Sequence, residues 1–145
     1  MLNRWIERDH LLDCLEKEGM GCIAFTPLAQ GLLTNKYVSG VPTGSRATAN
    51  KSLLPESINE QTLGRVKELN LIAKRRSQSL AQMAIAWVLR DQRMTTALIG
   101  ASRPEQVEDC VGALTNLHFD ESELTELDQY AIDSNVNPWS ASSSS

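Results

Sequence analysis

Residues 22–37 read CIAFTPLAQGLLTNKY, an apolar run that breaks at a proline and passes through a glycine into Thr34-Asn35-Lys36-Tyr37. Gly21-Cys22-Ile23-Ala24-Phe25 lacks the polar alternation of a half-exposed strand, and continuous apolar runs of this length belong to strands covered on both faces, as in parallel sheets. Just upstream, Leu11, Leu12 and Leu15 share one helical face behind Asp9 as a capping residue. Gly19 stands where a left-handed residue would end that helix. A helix feeding a short apolar strand is one unit of an alternating α/β chain.

From Pro27 to Pro55 no hydrophobic period is sustained, and Gly31, Gly40, Pro42 and Gly44 punctuate the stretch. So long a connection within a compact domain is functional or disordered, and the interspersed Lys36, Tyr37 and Arg46 favour a functional loop. Two helices are predicted next. One carries the stripe Leu63, Val66, Leu69, Ile72 and Ala73, the other Leu80, Met83, Ala84, Trp87 and Val88 behind a Ser79–Gln82 capping box. Trp87, at helical spacing with Leu80 and Met83, reads as core.

Thr95 to Ile99 is a second apolar strand, running into Gly100-Ala101-Ser102-Arg103-Pro104-Glu105-Gln106. Ser102 with Glu105 forms a second capping-box pattern, followed by Val107, Val111 and Leu114 on one helical face. A last helix is predicted from about Glu121 to Asp133, with Leu124, Leu127 and Ala131 inward. Residues 1–139 read as one unit and 140–145 as a disordered serine tail. Strands separated by helical crossovers give a parallel sheet. Two such strands cannot cover their own faces or close their edges, so the chain reads as a piece of a larger α/β architecture.

The 145 residues are 41% hydrophobic and 22% charged, the composition of a soluble globular domain. Fourteen Lys and Arg against 18 Asp and Glu leave a net charge of −4, which disfavours general attraction to nucleic acid or anionic membrane. Cys14, Cys22 and Cys110 form no CxxC pair and have no His at metal-ligand spacing, so neither a disulfide framework nor a metal site is expected. No apolar segment approaches the roughly 20 residues that span a bilayer, and Met1 to Trp5 shows no signal-peptide character. A cytoplasmic protein is the expectation.

In parallel α/β folds ligands gather at the C-terminal ends of strands. Here those ends are Phe25-Thr26-Pro27-Leu28 and Gly100-Ala101-Ser102-Arg103. The second joins a glycine, a hydroxyl, a guanidinium and the first amides of a helix, which is an anion site in outline. The same residues also suit the plain task of turning and capping a helix. Lys36 and Arg46 are, by spacing alone, solvated charges. His10 and His118 have no Ser, Cys or Asp partner that spacing identifies, so a nucleophilic triad has no support.

Thr26-Pro27-Leu28-Ala29-Gln30-Gly31-Leu32-Leu33-Thr34-Asn35-Lys36-Tyr37 resembles the S/T-P-L-x-x-G-x-L-T-G-K-Y segment of aldo-keto reductases. Leu98-Ile99-Gly100-Ala101-Ser102-Arg103-Pro104-Glu105-Gln106 resembles their I-G-A-S-x-x-E-Q segment. The opening Leu2-Asn3-Arg4-Trp5-Ile6-Glu7 and the closing Pro138-Trp139-Ser140-Ala141-Ser142-Ser143 are similar to the branch holding bacterial glyceraldehyde-3-phosphate reductases and potassium-channel beta subunits.

The resemblance implies a (β/α)8 TIM barrel, typically about 250 residues long, of which this chain is the C-terminal part with strands seven and eight and their helices. It implies NADPH (or NADP) as cofactor and reduction of small aldehydes or ketones to alcohols by hydride transfer in the complete protein. Phe25 falls where the family has an aromatic ring on the nicotinamide, and Thr26, Pro27, Leu28, Ala29 and Gln30 follow the pyrophosphate. Lys36 and Arg46, with Gly44 nearby, match basic loop positions that reach the phosphates. Gly100, Ser102 and Gln106 match contacts to the adenosine 2′-phosphate and ribose, and Asp109-Cys110 stand where the family has Glu-Asn facing the adenine. Asn35 replaces a family glycine.

The family's catalytic aspartate, tyrosine, lysine and histidine lie on the first four strands, and neither Tyr37 nor Tyr130 matches the tyrosine. No catalytic residue is therefore assigned, and the chain alone is not expected to turn over. The alternatives are a non-catalytic nucleotide-binding or assembly module like a channel beta subunit, and a truncated gene product. Expected partners are a nicotinamide dinucleotide and either a second copy or a missing N-terminal half-barrel, with no nucleic acid and no membrane.

Overall fold

A computed structural model describes residues 1–34 and 59–133. In chain order these form α1 (Trp5–Arg8), α2 (Leu11–Lys17), β1 (Cys22–Phe25), α3 (Glu60–Arg75), α4 (Leu80–Leu89), β2 (Met94–Leu98), α5 (Pro104–Val111) and α6 (Glu121–Tyr130). Short 3-10 turns occupy Ala29–Gly31 and Gly112–Thr115. The loop positions Lys36, Tyr37, Gly44 and Arg46, and the serine tail, lie outside the described residues.

β1 and β2 pair in parallel, with Ile23 opposite Thr96, Ala24 opposite Ala97 and Phe25 opposite Leu98. The register shifts between Cys22 and Ile23, where the Cys22 N–H donates to Thr95 Oγ1 at 3.1 Å. The strands are joined through α3 and α4, as alternating α/β patterning requires. One expectation fails. Helices back a single face of the sheet, where Ala97 and Ile99 pack against Ile85, Cys110 and Ala113. On the other face Ile23, Phe25 and Leu98 are 64%, 59% and 60% exposed, so β1 is not covered on both sides among the described residues. Its apolar run exceeds what the described residues bury, because alternate side chains of a strand point to opposite faces and among those residues only one face has a layer over it.

The main core is helical. Val66, Leu69, Ile72 and Ala73 of α3 meet Leu80, Met83, Ala84 and Trp87 of α4, with Leu127 and Ala131 closing from α6. Leu63, Val88 and Leu124 lie at its margin, so the expected stripes of α3, α4 and α6 face inward. Full burial of one such aliphatic side chain contributes about 1.5–3 kcal/mol. The stripe expected after Ser102 does not face inward: Val107, Val111 and Leu114 are exposed, because no layer among the described residues covers that face. Ser79 and Gln82 form the expected capping box, and Gly19 adopts φ +66 beyond the end of α2. Asp120 and Glu123 form a second box before α6, and the Asn59 side chain accepts from Thr62 N–H before α3.

Three local readings change. Asp9 does not cap α2, because the preceding helix α1 uses it as its own C-cap. The residue before α2 is His10, at φ 53 and without a side-chain cap bond. Ser102 and Glu105 do not form a capping box either, since the N-cap of α5 is Arg103, extended and without a side-chain cap bond, with Pro104 at the first helical position. The last helix stops at Tyr130 rather than Asp133, and the Asp133 carboxylate accepts from the Arg4 N–H at 2.6 Å.

Candidate nucleotide site

The parallel register sets the geometry of the site. With Phe25 opposite Leu98, both chains leave the sheet at the same end, so the loops after β1 and β2 start side by side. They differ in how they are held.

After β1 the chain coils tightly. Ala29 N–H donates to Thr26 O at 3.0 Å, Gly31 N–H to Leu28 O at 2.9 Å and Leu33 N–H to Leu28 O at 3.1 Å. The coil takes Thr26 to φ 55, Ala29 to φ 48 and Gln30 to φ 60, a left-handed conformation that L residues adopt at a cost of roughly 1–2 kcal/mol each. Gly31 has φ 93, where a side chain would be strained. Leu32 and Leu33, fully buried in the helical core directly after the coil, offset this strain and fix where the loop lies. Pro27 is buried beneath it, while Leu28, Ala29 and Gln30 are half-buried. Phe25 presents an exposed ring at the strand end.

After β2, Gly100, Ser102 and Arg103 are exposed, and a Cβ at Gly100 would meet nothing within 4 Å. Gln106, one turn into α5, folds its side chain back so that its Oε1 accepts both the Ser102 N–H at 2.8 Å and the Ser102 hydroxyl at 3.2 Å. Hydroxyl, amide and side-chain amide are thus gathered at the positive end of α5. Glu105 is the acidic residue of that first turn.

Asp109 and Cys110, one turn further along α5, are held against α4. The Asp109 carboxylate accepts from Ser79 Oγ at 3.0 Å, at the N-cap of α4, and from Gln82 Nε2 at 2.9 Å, in its first turn. Cys110 is buried with Ile85 and Ala113, and burial, with the neighbouring Asp109 charge, pushes its thiol pKa up. Such a thiol is no nucleophile.

A cavity of about 280 Å³ is lined by Ile23 and Phe25 of β1, Met94 of β2, Thr26 and Pro27, with Trp5 and Trp87 also in its walls. Arg90 lies 3.8 Å from the Trp87 ring centroid and also pairs with Glu7, whose carboxylate is taken by Arg4 at 2.5 Å as well. Burial alone would raise the Glu7 pKa, but the two guanidiniums lower it. Sequence patterning missed this ion network because its members come from α1 and from the turn after α4, more than 80 residues apart in sequence for Arg90 and Glu7. Among the described residues no group of three or more His, Cys, Asp or Glu could hold a metal ion, and no helix is long and apolar enough to cross a membrane.

The aldo/keto reductase family model matches residues 1–132. Two L-glyceraldehyde 3-phosphate reductases, from Escherichia coli O157:H7 and Escherichia coli strain K12, are 50% and 51% identical to this chain over 99% of its length. The chain spans 42% of each of these curated relatives. A crystal structure of a thermostable aldo-keto reductase in complex with the inhibitor epalrestat superposes with a TM-score of 0.57 at 25% identity, covering 88% of this chain and 36% of that one.

Proposed function

This chain belongs to the aldo/keto reductase family, and from that premise we propose that residues 1–139 are the C-terminal, cofactor-binding portion of an NADPH-dependent reductase, with β1 and β2 as the seventh and eighth barrel strands. The complete protein reduces a small aldehyde or ketone to an alcohol, and the 50% identical relatives favour a phosphorylated aldehyde such as L-glyceraldehyde 3-phosphate.

The observation that carries this reading is the pairing of Phe25 with Leu98, which brings the two motif-bearing strand ends to one edge of the sheet. Phe25, exposed at the end of β1, would hold the nicotinamide ring of the cofactor. The pyrophosphate follows the coil from Thr26 to Gln30. The 2′-phosphate and ribose meet Gly100, Ser102 and Gln106, where the helix N-terminus and the Gln106 side-chain Nε2 suit an anion and the Ser102 hydroxyl donates to it on turning from Gln106 Oε1. Lys36, Gly44 and Arg46, outside the described residues, belong to the same reading as phosphate contacts from the long loop. The bound cofactor supplies a hydride, and the chain's own residues bind and orient it. The proton for the carbonyl oxygen comes from the portion of the protein that this chain does not span.

A second reading, assembly with another polypeptide, is favoured by the exposure of Ile23, Leu98, Val111 and Leu114, which leaves apolar surface on the sheet, the end of α5 and the 3-10 turn after it. Mixing the purified chain with NADPH and glyceraldehyde while following nicotinamide absorbance and fluorescence tests the first reading. Binding without turnover is expected; oxidation of NADPH above a no-protein control contradicts it.

A further inference from the structure

We propose that Asp109 is a positioning residue that locks α5 to the start of α4 and thereby holds the Ser102–Gln106 clamp in shape, and that it does not read the nucleotide base. The proposal rests on the reading of Ser102 and Gln106 as phosphate and ribose contacts.

The lock is built on the capping box of α4. Gln82 Oε1 accepts the Ser79 N–H at 3.0 Å, and Ser79 Oγ accepts the Gln82 N–H at 3.1 Å. That leaves the Ser79 hydroxyl proton and the Gln82 side-chain amide as donors, and both go to Asp109, at 3.0 Å and 2.9 Å on Oδ1, with Oδ2 3.2 Å from the hydroxyl. Every polar atom of the Gln82 side chain is thus committed. The same side chain lies tight against the end of α5, since a Cβ added at Gly112 would come within 2.5 Å of Gln82 Nε2. Between these two contacts Cys110 is buried against Ile85 of α4. α5 is therefore fixed to α4 by a charge-assisted bond, an apolar contact and a close approach within one helical turn.

Gln106 lies one turn before Asp109 on the same eight-residue helix. A tilt or slide of α5 would carry Gln106 Oε1 away from the Ser102 N–H, so the clamp is only as rigid as the joint behind it. The chemistry of the pair at 109 and 110 agrees. An ionised carboxylate only accepts, and this one is directed at α4 donors; a buried thiol is a weak donor. Neither supplies a donor to an adenine ring nitrogen.

Donor and acceptor can be exchanged across the Gln82–Asp109 contact. Gln82→Glu keeps the acceptor for the Ser79 N–H but sets two carboxylates against each other. Asp109→Asn in the same chain restores a donor–acceptor pair. Amide hydrogen exchange on the full chain without nucleotide should show Ser102 and the first turn of α5 exchanging about three- to tenfold faster in Gln82→Glu, the range one net hydrogen bond contributes. Asp109→Ala, which adds no charge, should do the same, and the Gln82→Glu/Asp109→Asn double variant should return to within about twofold of the parent. Unchanged Ser102 exchange in Gln82→Glu and Asp109→Ala, or a double variant no slower than Gln82→Glu, overturns the proposal.

The nucleotide arm compares NADPH with its hypoxanthine analogue, in which the base's amino donor becomes a carbonyl acceptor. Equal affinity in the parent is expected. A parent preference for NADPH that Asp109→Ala abolishes makes Asp109 a base contact and overturns the proposal. A parent that binds neither nucleotide contradicts the cofactor reading, and the exchange measurements then still decide the positioning claim.

Discussion

Arg76 and Glu123 form an ion pair at 2.7 Å in which only 3% of the arginine side chain is exposed. The same guanidinium donates to Gln78 Oε1 at 2.9 Å and to the His118 carbonyl at 2.7 Å, and it lies 3.7 Å from the Phe119 ring centroid. One side chain thus ties the turn between α3 and α4 to the connector that leads into α6. Arg76→Ala takes the guanidinium from the Glu123 carboxylate, which keeps only the Asp120 N–H, and from the His118 carbonyl, so a loss of about 3–5 kcal/mol in unfolding free energy is expected. Arg76→Lys recovers less than half of it, because a single ammonium cannot serve partners spread across a planar fork. Urea titrations of the three chains check this; a loss under about 1 kcal/mol for Arg76→Ala would show the pair to be incidental.

Acid should weaken the fold in a defined window. The Arg93 side chain holds the Asp91 carboxyl at about 2, against the small opposing effect of burial. Asp13, bonded first to Arg93, and Asp120, bonded first to Ser122, are lowered too. A carboxylate with a lower pKa folded than unfolded binds fewer protons in the native state. Its stabilisation is complete above roughly pH 5 and fades as pH falls through the usual carboxylate range toward about 2. The thermal midpoint should therefore drop between those values, and Arg93→Ala should drop less steeply while starting lower. A parallel profile for the variant removes Arg93 as the cause.

Backbone strain predicts two changes of opposite sign. At Gly19, φ is +66 and a Cβ would meet nothing within 4 Å, so Gly19→Ala tests conformation without crowding. It should cost about 1 kcal/mol. Thr26 is β-branched at φ 55, and Thr26→Gly should stabilise by up to about 1 kcal/mol once the greater freedom of unfolded glycine is deducted. Denaturation midpoints read both, and a destabilised Thr26→Gly would mean that its side-chain packing outweighs the strain.

The sequence patterns that survived are those in which one local cause dominates. Helical stripes such as Leu69 with Ile72, and the Ser79–Gln82 box, are written within a few residues, and the structure forms them as spaced. The loop after β1 was legible only as a motif, since its coil depends on Leu32 and Leu33 being buried by α3 and α4, far along the chain. Ser102 shows the limit more sharply. Its spacing to Glu105 fits a capping box, but the extended Arg103 and Pro104 start α5 one residue later, and Gln106 takes the Ser102 amide instead. Asp109 was read through a resemblance to a nucleotide contact, and its partners on α4 could not be seen without the helix packing.

The central claim, that the ends of β1 and β2 hold a nicotinamide dinucleotide by its phosphates, is tested most directly by titrating the chain with NADPH and NADH and repeating both with Ser102→Ala and Arg46→Ala. Tighter binding of NADPH is predicted, with each substitution weakening NADPH by about ten- to a hundred-and-fiftyfold, the worth of a charge-assisted hydrogen bond, and NADH far less. Equal affinity for the two nucleotides, unchanged by either substitution, would contradict it.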